Sequence, residues 1–440
     1  MGRRKFPQSK RRFLLFRSQL TPSPATNFFG RTRSIREQPN ENFAVNEEAT
    51  STPSGSIRRG TDSRWRIIKE AWTRITRWLP ADDWLVVGWA LATKALLLVF
   101  GVASYQALED EKVPFGWPWL EIWHQWDAVH FVRLAEFGYS AADKFKAWFY
   151  PLYPWSVRFV NYLCGDFLGA SFLVSGIALL FAVVILRRIA VLEWSGEIAR
   201  RSVFFFLIFP TAFYLHIGYT ESLFLALALG SVFAARKERW WLAGVLGAFS
   251  WMTRANGIVL LPTLAVEAGH QWFIGKRWRW QWLWVALVPA GFAVYLFLNW
   301  RISGDPLAFL KMRKELFHMS SSWPWIGITD AFRNLRRNPN QAEIIGTQEL
   351  IFTAVGFVCA VVSWFKLRPI YATWITGNWL LLVCVTFIES MPRYALTMFP
   401  IFFLFAFVSE KRFWSTVITV WSLLFLALFS SLFVRGWWVF

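Results

Sequence analysis

Apolar residues follow one another along this chain in long runs that are separated by short polar segments. Most runs approach the roughly 20 residues that a helix needs to cross a hydrocarbon core about 30 Å thick. Lipid offers no hydrogen-bonding partner to open backbone groups, so such runs must form helices. The pattern predicts an all-α polytopic membrane protein, a bundle of about 10 to 11 transmembrane helices. The apolar runs are Trp84–Leu108, Phe167–Leu186, Ser202–Ile217, Ser222–Ala235, Trp240–Glu267, Trp282–Trp300, Leu350–Phe365, Pro369–Ile388, Tyr394–Val408 and Phe413–Val434.

One run, Trp240–Glu267, differs from the others because polar residues interrupt it. The segment Met252–Gly257 contains an arginine and an asparagine and separates two apolar stretches. Basic loops flank the whole run at Arg236–Arg239 and Lys276–Arg279. Because basic loops stay on the cytoplasmic side, both ends of this run are expected there. We therefore predict two short half-helices that enter the membrane and return, meeting near Arg254–Gly257.

The charge of the chain is concentrated before the first apolar run. Only 17% of the residues are charged, whereas a soluble domain carries about a quarter. Residues 1–82 hold 17 basic and 7 acidic residues, so +10 of the formal net charge of +19 precedes the membrane. A basic segment beside the first span marks the cytoplasmic side and attracts anionic lipids. We therefore predict membrane lipids as partners and no nucleic acid.

The chain divides into three regions by composition. Residues 1–62 are rich in Arg, Ser, Pro and Asn and predict a disordered basic cytoplasmic tail. Residues 63–80 carry large apolar side chains at helical spacing and predict an amphipathic interfacial helix. Residues 84–440 form a multi-span transmembrane domain with outer loops at 109–150 and 301–349. The second loop holds more basic than acidic residues, which would attract anionic lipid phosphate.

The first outer loop contains a candidate general base. Asp127 lies within the aromatic segment Trp123–Phe131, and His130 follows it on the same face of a helix. A carboxylate among aromatic side chains is partly desolvated, which suits a general base. Aromatic rings such as that of Trp126 also suit stacking against a sugar. The alternative interpretation is an interfacial helix with an ordinary solvated acid.

Further polar residues lie at the predicted outer ends of the spans. Tyr219 and Glu221 precede an apolar run, where Glu221 either caps the next helix or binds sugar hydroxyls. Arg254 interrupts an apolar run, which is costly in a membrane unless the residue is paired or functional. Arg393 either reaches the interface as an anchor or binds a phosphate through two parallel hydrogen bonds.

Motifs for metals and nucleotides are absent from the sequence. It contains no GxxxxGK[ST] loop, no HExxH and no CxxC, and the cysteines Cys164, Cys359 and Cys384 are isolated. We therefore predict no metal site and no cofactor, while one acid working with a divalent ion is left open. A nucleotide-sugar would be met in the cytoplasm, whereas the candidate acids are predicted on the other side.

Short motifs occur in order along roughly residues 84–410. They are Trp126-Asp127, Phe137-Gly138-Tyr139, Phe149–Pro154, Phe209-Pro210, Tyr219–Ser222, Thr253–Gly257 and Pro392–Tyr394. Their order and spacing resemble the PIG-V-like mannosyltransferases, a family that includes the enzyme adding the second mannose of GPI anchors and bacterial relatives. The resemblance implies a GT-C-type membrane glycosyltransferase with a polyprenyl- or dolichyl-phosphate-sugar donor.

The resemblance also implies roles for the candidate residues. The family's catalytic acid lies in the first outer loop, where Asp127 stands here. Asp127 would deprotonate a hydroxyl of a glycan, glycolipid or protein acceptor, which attacks the anomeric carbon with inversion. One carboxylate suffices because a phosphate leaving group needs no protonation, unlike the leaving group in glycosidases. Arg254 and Arg393 would bind the departing phosphate, Glu221 would orient a sugar, and His130 would support Asp127.

The sequence leaves open two alternative functions and the membrane in which the protein is located. The basic leader at 1–80 has no counterpart in the family and favours a bacterial inner membrane over the endoplasmic reticulum. The main rival function is a transporter or flippase of a lipid-linked or anionic substrate, and a structural membrane protein is the second. Transporters often contain two related halves, and none is visible here. Clustering of Asp127, Glu221, Arg254 and Arg393 in one outer site would favour the enzyme.

Overall fold

The part of the chain that the computed structural model describes, residues 80–140, 144–337 and 346–439, is built from helices. The predicted tail at 1–62 and all but the last residue of the predicted interfacial helix at 63–80 lie outside the described residues. The α-helices are Ala81–Glu109, Pro118–Glu121, Asp127–Phe137, Leu152–Cys164, Phe167–Glu193, Gly196–Ile208, Glu221–Arg236, Trp240–Trp251, Leu260–Gly275, Val288–Ser303, Ala308–Glu315, Pro324–Arg337, Thr347–Lys366, Pro369–Val383, Met391–Ala395, Pro400–Val408 and Arg412–Val434. The 3₁₀ helices are Lys144–Trp148, Ala212–Leu215, Ala255–Val259 and Trp280–Leu287.

Five helices of the described part are long and apolar enough to cross a membrane. They are Ala81–Glu109, Phe167–Glu193, Trp280–Ser303, Thr347–Lys366 and Arg412–Val434. The chain is therefore an integral membrane protein, and the predicted all-α polytopic class is confirmed. Several of the other apolar runs form helices of 9 to 16 residues. The count of about 10 to 11 crossings and the GT-C-like arrangement stay predictions, since some of these helices are too short to span alone.

The helical structure of the interrupted apolar run breaks at its polar residues, as the sequence predicted. The helix Trp240–Trp251 ends just before Arg254, the 3₁₀ helix Ala255–Val259 follows, and the helix Leu260–Gly275 continues. Arg254 itself has an extended backbone, with φ of −155° and ψ of 152°. The two half-helices are therefore separated by a short non-helical turn that carries an arginine.

The far ends of these two half-helices lie beside each other. Arg279 forms an ion pair with Glu238 across the two flanking loops. Gln271 Nε2 also donates a hydrogen bond of 3.1 Å to the carbonyl oxygen of Ala235. The chain thus runs away from this end and returns to it, as the basic loops on both sides of the run predicted.

Buried ion pairs hold this end of the bundle together. Glu267 is fully buried and accepts hydrogen bonds of 2.8 and 3.0 Å from Arg368. Arg236 lies 3.7 Å from Glu267 and also pairs with Glu193, whose Oε1 accepts a 3.0 Å hydrogen bond from Tyr371. Charges removed from water must be paired in this way. We call Glu193, Arg236, Glu267 and Arg368 the basal network.

One central helix connects the basal network with the opposite end of the bundle. The helix Glu221–Arg236 begins at a fully buried glutamate and ends in the basal network. It packs against the helices Phe167–Glu193 and Trp240–Trp251, and apolar or small residues fill the space between its two charged ends. Its 16 residues span about 24 Å at 1.5 Å per residue. Glu221 is thereby fixed at a defined distance from the basal network.

A close helix contact at Gly291 gives a prediction for stability. A methyl group at this position would lie 1.8 Å from the carbonyl oxygen of Ala248, in the helix Trp240–Trp251. The helices would have to separate, so we expect Gly291→Ala to destabilise the protein by about 1–3 kcal/mol, as overpacking does. Thermal unfolding in detergent measures this. Gly269→Ala is the control, because no atom lies within 4 Å of the added methyl group there; equal melting temperatures for the two variants would contradict the prediction.

Candidate active site

Four charged side chains from distant parts of the chain meet at the end of the bundle opposite the basal network. Asp127 and Glu221 are each the first residue of a helix, where the helix dipole favours a carboxylate. Arg254 lies in the break between the two half-helices, and Arg393 lies in the short helix Met391–Ala395. The predicted clustering of these four residues is therefore present.

The four side chains form a continuous chain of ion pairs. Arg393 Nη1 lies 2.8 Å from Asp127 Oδ2, and Arg393 Nε lies 2.5 Å from Glu221 Oε1. The same oxygen of Glu221 accepts a 2.6 Å hydrogen bond from Arg254 Nη1, which also bonds the hydroxyl of Thr220 at 2.7 Å. We call Asp127, Arg393, Glu221 and Arg254 the site network. Glu221 begins its helix, as the capping interpretation expected, and it also forms these ion pairs, while Arg393 pairs with two acids inside the bundle.

Exposure differs sharply along the site network. The Glu221 side chain is fully buried, and the two arginine side chains are almost fully buried. Asp127 is the accessible member, with 31% of its side chain exposed. A substrate hydroxyl can therefore reach Asp127 more readily than Glu221, which is the order of access that a base at Asp127 requires.

The backbone immediately before Asp127 adopts an unusual conformation. Trp126 has φ of 55° and ψ of −121°, a combination that normally favours glycine. It occupies a turn closed by a 3.1 Å hydrogen bond from Ala128 N to the carbonyl oxygen of Gln125. The Trp126 indole donates a 3.1 Å hydrogen bond to the carbonyl oxygen of Trp437 and packs edge-on against Trp438. Such strain persists only where surrounding contacts enforce it, as near active sites.

Tyrosine rings enclose the Arg393 guanidinium. Its carbon lies 4.7 Å from the ring centroid of Tyr219 and 4.8 Å from that of Tyr214, within cation–π range. The Tyr219 hydroxyl donates a 3.0 Å hydrogen bond to the carbonyl oxygen of Gln125, in the turn before Asp127. Tyr219 thus contacts Arg393 and the turn that precedes Asp127. Its predicted binding of substrate stays a prediction.

His130 lies in an aromatic group on the same helix as Asp127. Its ring stacks on Phe149 at 5.2 Å and meets Phe145 edge-on at the same centroid distance. Phe145 and Trp148 in turn contact Phe317, which follows the helix Ala308–Glu315. These rings form an aromatic wall beside the site, and the supporting role predicted for His130 stays a prediction.

Several residues at the site received no individual role from the sequence. Arg254 lies over the ring of Tyr394 at 4.9 Å. The Tyr214 hydroxyl donates a 2.8 Å hydrogen bond to the carbonyl oxygen of Val439. Trp438 packs edge-on against Trp126. The signal for Tyr394 was its position beside Arg393, whereas the contacts of the C-terminal segment have no counterpart in the sequence pattern.

A further acid lies at the rim of the site. Removal of water from around Glu389, and then the negative charge of Asp127, raise the pKa of the Glu389 carboxyl above its ordinary value. Glu389 directly precedes the backbone segment that carries Arg393. Among the described residues, no group of three or more His, Cys, Asp or Glu side chains has metal-binding geometry. The prediction that the site needs no metal stays a prediction.

Two comparisons with known proteins gave a match to part of the chain. Residues 118–279 match the model of the family Mannosyltransferase (PIG-V). This segment is PIG-V-like. A stretch of 149 residues is also 31% identical to GPI alpha-1,6-mannosyltransferase 2 of Mus musculus, covering 31% of this chain and 30% of that protein. The chain thus matches less than a third of the length of this curated relative. No solved structure is significantly similar to the chain.

The PIG-V-like segment contains most of the site. Asp127, Glu221 and Arg254 of the site network lie within it, together with Trp126 and Tyr219. Arg393, the remaining member, lies outside the PIG-V-like segment. It meets the other three side chains because of the way the chain folds. The resemblance inferred from the motifs is therefore confirmed for the part of the chain that carries the candidate base.

Proposed function

We propose that the chain is an integral membrane glycosyltransferase, and specifically a mannosyltransferase. It transfers a sugar from a polyprenyl- or dolichyl-phosphate donor to a hydroxyl group of a glycan, glycolipid or protein acceptor. The observation that carries this proposal is the site network, in which one accessible carboxylate is joined through an arginine to a buried acid and a second arginine. In this proposal the N-terminus is cytoplasmic and the site faces the opposite side of the membrane.

In the proposed reaction Asp127 acts as the general base. It takes the proton of the acceptor hydroxyl while the acceptor oxygen attacks the anomeric carbon of the donor. The bond between that carbon and the phosphate oxygen breaks, and its electron pair leaves with the lipid phosphate. The sugar is inverted at the anomeric centre. Because the phosphate leaves as an anion, no second carboxylate is needed to protonate it.

Arg393 links the base to the donor phosphate in this mechanism. Its Nη1 donates to Asp127 Oδ2 at 2.8 Å. A guanidinium also binds two phosphate oxygens in parallel, so an entering donor phosphate competes with Asp127 for the same N–H groups. This competition frees the Asp127 oxygen to accept the proton. Glu221 meanwhile retains the guanidinium through the 2.5 Å bond to Arg393 Nε.

The charge balance of the site network suits a further cation for binding the donor phosphate. Two carboxylates and two guanidinium groups sum to zero, so a lipid phosphate would add uncompensated negative charge to a site with little water. Arg313, in the helix Ala308–Glu315 of the basic outer loop, is suited to compensate it. Burial lowers the pKa of Arg313, and Tyr394 acts in the opposite direction. Within the described residues, no acidic side chain forms an ion pair with Arg313.

The transporter alternative receives less support from the position of the site. Transporter substrates bind near the middle of the membrane, where discontinuous helices meet. Here the site network includes the first residue of the helix Glu221–Arg236, and the basal network includes the last. An end position suits an enzyme that receives a lipid headgroup from the membrane surface.

The donor class can be tested with the purified protein in liposomes. Labelled polyprenyl-phosphate-mannose, polyprenyl-phosphate-glucose and GDP-mannose are offered with membrane extracts that supply the acceptor. We expect product from polyprenyl-phosphate-mannose, with its anomeric configuration inverted relative to the donor, and none from GDP-mannose. Transfer from GDP-mannose would exclude the proposed donor class. Movement of the labelled lipid across the bilayer without a new glycosidic bond would support the transporter.

A further inference from the structure

A buried carboxylate outside the site network contacts the segment that carries Arg393. Glu349 lies in the first turn of the helix Thr347–Lys366 and is only 7% exposed. Its Oε1 accepts a 2.6 Å hydrogen bond from the backbone N–H of Ser390, and its Oε2 accepts a 2.7 Å hydrogen bond from that of Met391. Within the described residues no arginine or lysine pairs with Glu349. Both oxygens therefore serve two successive backbone amides.

These two amides begin the short helix that positions Arg393. Ser390 has φ of 64° and ψ of 24°, the left-handed conformation that is unfavourable for residues with a side chain. Ser390 makes no side-chain capping bond to the helix Met391–Ala395. The Glu349 carboxylate supplies the missing acceptors and so fixes the direction in which this helix starts.

We propose that Glu349 is a positioning residue for sugar transfer, acting through Arg393. It holds the backbone at Ser390 and Met391 so that the guanidinium of Arg393 stays between Asp127 and Glu221. This inference rests on the proposed function, because the rate of sugar transfer is the quantity that Glu349 is expected to affect. The contacts it protects are short, at 2.5 and 2.8 Å. A displacement of about 1 Å at a catalytic group is enough to lower a rate by about 100-fold.

The decisive test is a double-mutant cycle with Glu349→Gln and Arg393→Lys. The glutamine side chain offers one accepting oxygen and one N–H₂ group, so it cannot satisfy both amides. We expect Glu349→Gln to lower turnover by about 10- to 100-fold in the wild-type background. In the Arg393→Lys background the same change should cost less than about threefold, because residues acting through one contact are not additive. Equal losses in both backgrounds would overturn the inference.

Thr353→Val is the matched control on the same helix. Thr353 is buried, and its hydroxyl donates a 2.7 Å hydrogen bond to the backbone carbonyl of Glu349. Valine removes this bond but leaves the carboxylate and its two amides in place. We expect less than about a twofold change in turnover, because an ordinary hydrogen bond lost away from the site lowers stability rather than the transfer rate. Glu349→Asp is the second variant, which keeps both carboxyl oxygens on a shorter side chain; its turnover should lie between that of Glu349→Gln and wild type.

A measurement without substrate separates this inference from the proposed function. Hydrogen–deuterium exchange of a peptide covering Glu389–Tyr394 should be faster in Glu349→Gln than in Thr353→Val or wild type. Unchanged exchange would overturn the inference whether or not transfer occurs. Faster exchange in Glu349→Gln, with no transfer by the wild type from any lipid-phosphate donor, would count against the proposed function and support the holding role of Glu349.

Discussion

Replacing Asp127 with Asn will lower the rate of sugar transfer by about two to four orders of magnitude, the contribution of a general base. Asparagine has nearly the same shape, and its amide oxygen can still accept the hydrogen bond from Arg393. It cannot take a proton from the acceptor hydroxyl. Since 31% of the Asp127 side chain is exposed, the change removes no deeply buried charge. The variant should therefore fold normally and bind donor while failing to transfer the sugar.

The measurement is transfer from labelled polyprenyl-phosphate-mannose by equal amounts of each purified protein. Glu136→Gln is the matched control, because Glu136 is an exposed acid on the same helix, Asp127–Phe137. We expect its rate to equal that of the wild type. An unimpaired Asp127→Asn protein would exclude Asp127 as the base and direct attention to Glu389, the other acid at the rim of the site.

Replacing Glu221 with Gln will cause a large loss of stability. Glu221 is fully buried and is the shared partner of Arg254 and Arg393, at 2.6 and 2.5 Å. Removing its charge leaves two buried guanidinium groups with a single remaining carboxylate, Asp127, near one of them. Breaking a buried ion pair by removing one partner costs about 3–5 kcal/mol. We expect a markedly lower melting temperature in detergent and a reduced yield of folded protein.

Glu197→Gln provides the comparison for this loss of stability. Glu197 forms ion pairs with Arg200 and Arg201 at 2.7 and 2.9 Å, but all three side chains are a third or more exposed. Exposed pairs contribute about 0–1 kcal/mol each, so the melting temperature should change little. A Glu221→Gln protein that melts within a degree or two of Glu197→Gln would show that the two arginines find other partners.

The helices were largely predictable because membrane spans leave a strong apolar pattern. Their ends were less so, and proline explains one difference. The run Ser202–Ile217 was predicted to be continuous, whereas its helix ends at Ile208. Phe209 has an extended backbone because it precedes Pro210, which disfavours the helical conformation at the preceding residue. A break at an arginine was easier to recognise, since Arg254 is conspicuous in an apolar run.

The site was predictable as a set of residues but not as a set of contacts. Asp127, Glu221, Arg254 and Arg393 stood out as polar groups at the ends of apolar runs. The pairing of Glu221 with Arg393 joins positions 172 residues apart and depends on the packing of several helices. The strained backbone of Trp126 left no local sign either, because glycine is the usual residue in that conformation.

The two ion pairs along the central helices also bear on how the protein is made. Glu221 pairs with Arg254, and Arg236 lies 3.7 Å from Glu267, so one continuous stretch of chain contains a partner for the charge at each end of the helix Glu221–Arg236. A single charge at the centre of a bilayer costs about 2.5–3.5 kcal/mol during insertion by the translocon. Inserted alone, the helix Glu221–Arg236 would carry an unpaired charge at each of its ends, where the cost is smaller than at the centre. We therefore expect residues 221–275 to enter the bilayer together, as one hairpin, rather than helix by helix.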